Sequence, residues 1–89
     1  MAVIQGTTAS GFSYSIEPEK MNDMRVLDAL TDVSEGNPAG LSQLIRLLLT
    51  PEEKDELYRV NTLEDGRIDP KGVSKDLFEA INSTRNGKN

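Results

Sequence analysis

Two proline-led helix starts, Asn37-Pro38 and Thr50-Pro51, bracket the most apolar run of the chain and constrain its fold more than any other feature. Proline is well placed at the first helical position, where its missing N–H is not needed, and asparagine or threonine before it is a favoured cap. Between the two, Leu41, Leu44, Ile45 and Leu48 fall at i, i+3, i+4 and i+7, one face of a helix. Leu47 and Leu49 lie off that stripe and widen the apolar surface, which points to contacts on more than one side. Pro51 pushes Thr50 out of the α region and ends this helix. Thr50 then caps the next one, and Glu53, three residues on, completes a capping box. Glu52, Glu53, Asp55 and Glu56 gather at the positive end of that helix dipole, an arrangement of helix-start electrostatics more than of a catalytic pair.

The rest of the chain supplies lighter elements. Phe12, Tyr14 and Ile16 alternate with Ser13, Ser15 and Glu17, the period of a half-buried strand. Its only local partner is around Ala2–Gln5, and a lone hairpin is marginal in water. The strand therefore either packs on its own helices or lends its edge to another subunit, which makes Phe12, Tyr14 and Ile16 candidates for self-association. Asn22 or Asp23 caps a helix running to about Ser34. Met24, Leu27, Leu30 and Val33 are its expected buried face, with Val26 beside it and Met21 packing back from outside the cap. Gly36 suits the left-handed closing position. Asp65-Gly66 reads as a turn and Asp69-Pro70 as a third cap-then-proline start. Val73, Leu77, Ala80 and Ile81 form the apolar face of a last helix, with Phe78 at its edge. The expected fold is mainly α, four short helices with a small N-terminal β-strand or hairpin. Residues 1–11 are expected to be a flexible arm, 12–83 a single helical domain, and 84–89 a disordered tail.

Chemistry-bearing residues are few. The 89-residue chain has no Cys and no His, so the usual zinc sets, thiolate nucleophiles and neutral-pH bases are missing; no catalytic, metal or cofactor site is expected. Ten basic against fifteen acidic residues give a net charge of −5, which disfavours nucleic acid as a partner. No apolar run approaches the roughly 20 residues needed to span a bilayer, and the N-terminus has no basic, apolar leader pattern, so neither membrane insertion nor secretion is expected. Asn61–Gly72 superficially follows the spacing of a calcium-binding EF-hand loop. Leu63 stands where an oxygen donor is needed and Gly72 where a bidentate Glu is required, so Asp65 and Asp69 are better read as turn and cap.

The order of segments does point somewhere. An Asn/Asp-led helix, NDMRVLDALTDVSEGNP, precedes the Leu-rich LSQLIRLLLTPEEKDELY; an EDGRI turn and a final VSKDLFEAIN follow. This series resembles the small tail assembly chaperones of long-tailed bacteriophages and prophages of Gram-positive bacteria, over roughly residues 12–82. Asp23, Val26, Leu27 and Leu30 carry the pattern of the first helix, with Met24 at a place where that family often has Trp. Glu64-Asp65-Gly66-Arg67 carries the turn. The resemblance implies a non-enzymatic protein of the host-cell cytoplasm, absent from the mature virion. Such a protein binds the tape measure protein, helps recruit tail-tube subunits, and leaves before the tail is finished. A homo-oligomer is expected, and Leu47 and Leu49 are candidates for the partner-binding surface, since an apolar helix face can take an amphipathic helix. The competing reading is a small acidic regulatory adaptor or inhibitor that binds another protein. A very long helical protein encoded immediately downstream favours the chaperone; copurification with a repressor or nuclease favours the adaptor.

Overall fold

The structure, a computed structural model, describes residues 3–86. Strands β1 (Ile4–Thr7) and β2 (Ser13–Ile16) pair antiparallel, with Ile4 opposite Ile16 and Gly6 opposite Tyr14. Side chains alternate across a strand, so Ile4, Tyr14 and Ile16 share one face with Phe12, and that face is buried. Gln5, Thr7, Ser13 and Ser15 take the exposed face. Gly11, at φ 95°, lets the chain reverse, and Thr8 closes the turn: its N–H donates to the Phe12 carbonyl at 2.8 Å, and its hydroxyl accepts from Phe12 N–H at 3.2 Å. The hairpin lies on helices α3 (Pro51–Val60) and α4 (Pro70–Arg85), which supply the support a lone hairpin lacks.

Two expectations change here. The first strand begins at Ile4, not Ala2, and residues 4–11 are hairpin, not a flexible arm; Met1 and Ala2 lie outside the described residues. Phe12, Tyr14 and Ile16 are buried in the chain's own core, so their side chains are not available to join subunits. Burying three large side chains locally satisfies the hairpin without a second copy.

A 3-10 turn at Pro18–Met21 leads into α1 (Met24–Ser34), capped by Asp23, whose carboxylate accepts from Arg25 N–H at 2.9 Å. The buried face of α1 is Val26 and Ala29, flanked by half-buried Leu30 and Val33. Met24 and Leu27, expected inside, are 66% and 43% exposed. A spacing of three repeated from 24 to 33 drifts backwards by about 60° at each step of a 3.6-residue helix, so its first and last members point to opposite sides. Gly36, at φ 84°, ends α1 as expected. Asn37 N–H reaches the Asp32 carbonyl at 2.8 Å and Gly36 N–H the Val33 carbonyl at 3.0 Å, the paired bonds of a left-handed helix stop.

Helix α2 (Ala39–Leu48) turns back at once and packs against α1 more extensively than any other two elements pack together. Pro38 flanks its start and the Asn37 side-chain carbonyl accepts from Ala39 N–H at 3.0 Å. Buried Gly40 permits the close approach: a β-carbon there would sit 2.6 Å from the Ala29 carbonyl oxygen. Leu44, Ile45 and Leu48 are buried and Leu41 is half-buried. Thr50 and Glu53 form the capping box of α3 reciprocally, at 3.2 and 2.9 Å.

Between α3 and α4 a small loop is pinned by a bridge between Thr62 and Ile68, with Gly66 at φ 90° in its turn. Asp69 caps α4, accepting from Lys71 N–H at 3.1 Å. Val73, Leu77, Ala80 and Ile81 are buried as expected, and Phe78 is half-buried. The helix continues past residue 83 to Arg85, with Thr84 buried and its hydroxyl donating to the Ala80 carbonyl at 2.8 Å; Gly87–Asn89 lie outside the described residues. One apolar cluster joins the hairpin to all four helices. Among the described residues, no helix is long and apolar enough to cross a membrane.

Candidate functional site

Two shallow depressions open on the same side of α2 and share Ile45. One, of about 310 Å³, is lined by Pro38, Leu41, Ser42, Ile45, Tyr58, Ile68, Pro70 and Val73. The other, of about 230 Å³, is lined by Ile45, Arg46, Leu49, Thr50, Pro51 and Lys54. At 100° per residue, Leu41, Ser42, Ile45, Arg46 and Leu49 fall on one side of α2. Together the depressions make a track along the helix, from its proline-led start to the proline that begins α3. A ten-residue helix is roughly 15 Å long, so the track spans about three turns.

Its walls come from distant parts of the chain. Tyr58 is carried by α3, and Lys54, one turn earlier, lies 5.5 Å over its ring. Ile68, 42% exposed, is held in place by its bridge to Thr62, and Pro70 and Val73 are the first turn of α4. Both α2 and α4 therefore present their positive N-terminal ends beside the track. No carboxylate lines either depression.

Three arginines elsewhere on the surface are paired with nearby carboxylates. Arg25 binds Asp23, Arg59 binds Glu56, and Arg67 binds Asp65. Hydrogen bonds from the arginine side chains are the main reason the Asp23 and Glu56 carboxyls are held below the ordinary carboxylate range. For Asp65 the first cause is the backbone N–H of Arg67, followed by its side chain. Arg46 donates to Gln43 instead of a carboxylate, and among the described residues neither Lys54 nor Lys71 has an ion pair. The track is thus a locally basic, apolar strip on a chain whose net charge is −5.

The sequence candidates divide. Leu49 lines the track, yet only 7% of it is exposed, so it is chiefly a core residue with one accessible edge. Leu47, two residues from Ile45 and so on the opposite side of α2, is half-buried against the core and does not line the track. Phe12, Tyr14 and Ile16 belong to the core beneath the hairpin. Tyr58, Ile68 and Lys54 were not singled out from the sequence. Tyr58 carried a readable signal, an aromatic one turn after a lysine; the placement of Ile68 depends on the α3–α4 loop and had none.

Two polar features, one of them buried, have no local sequence signal. Asn61 donates to the Leu57 carbonyl and to Asp76 Oδ2, both at 2.9 Å. Asp76 is 1% exposed and its Oδ1 has no partner among the described atoms. A β-carbon on Gly72 would collide with Asn61 Oδ1, so that glycine leaves room for the pair. The second feature is Glu53, whose Oε2 also accepts from Ser15 N–H at 2.9 Å, tying the outer edge of β2 to the start of α3.

In the loop that follows EF-hand spacing, Asn61 is committed to Asp76 and Leu57, Asp65 to Arg67, and Asp69 to the start of α4. Among the described residues, no three acidic, His or Cys residues gather as a metal site. Comparison with known protein families, with curated proteins and with solved structures finds no match to this chain.

Proposed function

We propose that this chain is a tail assembly chaperone of a long-tailed phage or prophage, binding the tape measure protein and helping to recruit tail-tube subunits. The observation that carries this reading is the track along α2. It is apolar at its base, open along about three helical turns, and lined by Leu41, Ile45, Leu49, Tyr58 and Ile68. A helix-in-groove contact needs a strip of that length with side-chain-sized depressions. A tape measure protein offers long amphipathic helices that require cover until tube subunits enclose them. The sequence resemblance over residues 12–82 supplies the identity of the client, and the acidic remainder of the surface keeps a coated client soluble.

Co-expression with a fragment of the tape measure protein of the same phage or prophage tests the reading. The fragment is expected in the insoluble fraction alone and in the soluble fraction with this chain. Ser42→Glu places a carboxylate in the track at an exposed position and is expected to return the fragment to the pellet while the chain itself stays folded. A fragment equally insoluble with and without the chain refutes the proposal.

A further inference from the structure

The exposed ridge of α1 carries two large apolar side chains among polar ones. Met24 is 66% and Leu27 43% exposed, and Met24 is the most exposed large apolar side chain described. At 100° per residue, Met24, Asp28, Thr31 and Glu35 fall in one narrow strip opposite Val26, Ala29 and Val33, with Leu27 along its flank. Asp28, Thr31 and Glu35 are exposed, and among the described residues neither acid has an ion pair. The ridge is therefore acidic around two apolar side chains, while the track is apolar with Arg46 and Lys54 in its lining and Lys71 next to Pro70.

We propose that the track of one copy takes the α1 ridge of a second copy. Met24 and Leu27 enter the depression between Leu41, Tyr58 and Ile68, and Asp28 and Glu35 lie toward Lys54 and Lys71. Both halves of the contact, and both signs of charge, are present on the same chain. The two surfaces differ, so the contact is heterologous: when two copies join, one still has a free ridge and the other a free track. The inference does not rest on the tail-chaperone reading. If a client helix uses the same track, client and second copy compete for it.

Two apolar side chains in a depression of about 310 Å³ make a small contact beside stable interfaces, which bury roughly 1,200–2,000 Å². Association is accordingly concentration-dependent. Light scattering or sedimentation over about 10 µM to 1 mM, the regime of weak contacts, is expected to show the average mass rising with concentration and falling with added salt. Met24→Asp with Leu27→Asp removes the ridge, and Ile68→Asp spoils the track; both alter exposed positions, so unchanged circular dichroism and melting are expected. Each variant alone is expected to stay monomeric. Mixed in equal amounts they are expected to form a one-to-one complex that grows no further, because the intact track of the first takes the intact ridge of the second. Lys54→Glu with Lys71→Glu is expected to weaken wild-type association at least tenfold at low salt. A wild-type chain monomeric throughout overturns the proposal. So does assembly that survives loss of the ridge, or a mixture that fails to pair while the wild type assembles. A tape measure fragment that fills the track of a chain never seen to self-associate would overturn it while leaving the proposed function standing.

Discussion

Gly40→Ala tests the α1–α2 corner on which the track is built. In an open helix this change is favourable by about 1 kcal/mol, because alanine loses less backbone entropy than glycine. At position 40 the added carbon would lie 2.6 Å from the Ala29 carbonyl oxygen, 2.8 Å from Asp32 Cβ and 2.9 Å from Val33 Cγ2. Ordinary contact begins near 3.4 Å, so the helices must part by roughly 0.5 to 0.8 Å (3.4 minus 2.9 and minus 2.6). The closest atom is backbone, which cannot rotate away. Overpacking of this kind costs about 1–3 kcal/mol, and the unyielding carbonyl places this case at the upper end. Offsetting that with the propensity gain leaves a net loss of about 1–2 kcal/mol. For a domain of this size, this amounts to about 5–15 °C in Tm. Urea and thermal unfolding followed by circular dichroism measure it. A Tm equal to or above that of the wild type would show that α1 and α2 are not in close contact at Gly40, and the reasoning would fail.

Other perturbations bear on particular contacts. Thr50→Ala removes half of the capping box and is expected to cost about 1 kcal/mol. Glu53→Ala is expected to cost more, because the same carboxylate also holds Ser15 N–H. Faster amide exchange at Ser15 in the Glu53 variant, but not in Thr50→Ala, would separate the two roles. Leu49→Ala is expected to lose about 2–4 kcal/mol as a core truncation, whereas Met24→Ala stays within about 0.5 kcal/mol; equal effects would contradict the burial difference. Millimolar calcium is expected to leave the amide spectrum of residues 61–72 unchanged, since the Asp65 and Asp69 carboxylates are used in the loop's turn and helix cap, and Leu63 and Gly72 stand where ligands are required. Asp23, Glu56 and Asp65 have lowered folded pKa values, so their contribution to stability is present above the unfolded value of about 4 and fades as the pH falls through the folded values. The groups are exposed, so the effect is small and salt-sensitive. Replacing Arg25 and Arg59 with Ala should reduce it, while Arg67→Ala, which keeps the backbone N–H on Asp65, should change it least; an acid limb unchanged by the first two would count against these pairs.

What the amino-acid order made legible was punctuation. Thr50-Pro51, Asp69-Pro70 and Gly36 each act within a few residues through φ restriction or a side-chain cap, and each ended or began a helix where expected. What it left hidden was the rotation of each helix and everything set by approach between segments. On α1 the evenly spaced Met24, Leu27, Leu30 and Val33 looked like one face, but only the mixed three-and-four spacing of Val26, Ala29, Leu30 and Val33 stays on one side of a helix. Gly40, buried Asn61 and Asp76, and the reach of Glu53 across 38 residues to Ser15 depend on tertiary contact, for which local pattern has no counterpart. The same misreading explains why the site was only half visible. Leu49 lies off the main stripe of the Leu-rich run, yet most of its surface serves the core. Met24 and Leu27 were assigned to the core, and they are the side chains left outside it. On α1, helix rotation decides which apolar residues enter the core: Ala29 is buried where Met24 and Leu27 are not. Apolar side chains point to a partner where they lie together on the folded surface, not where they run together in the sequence.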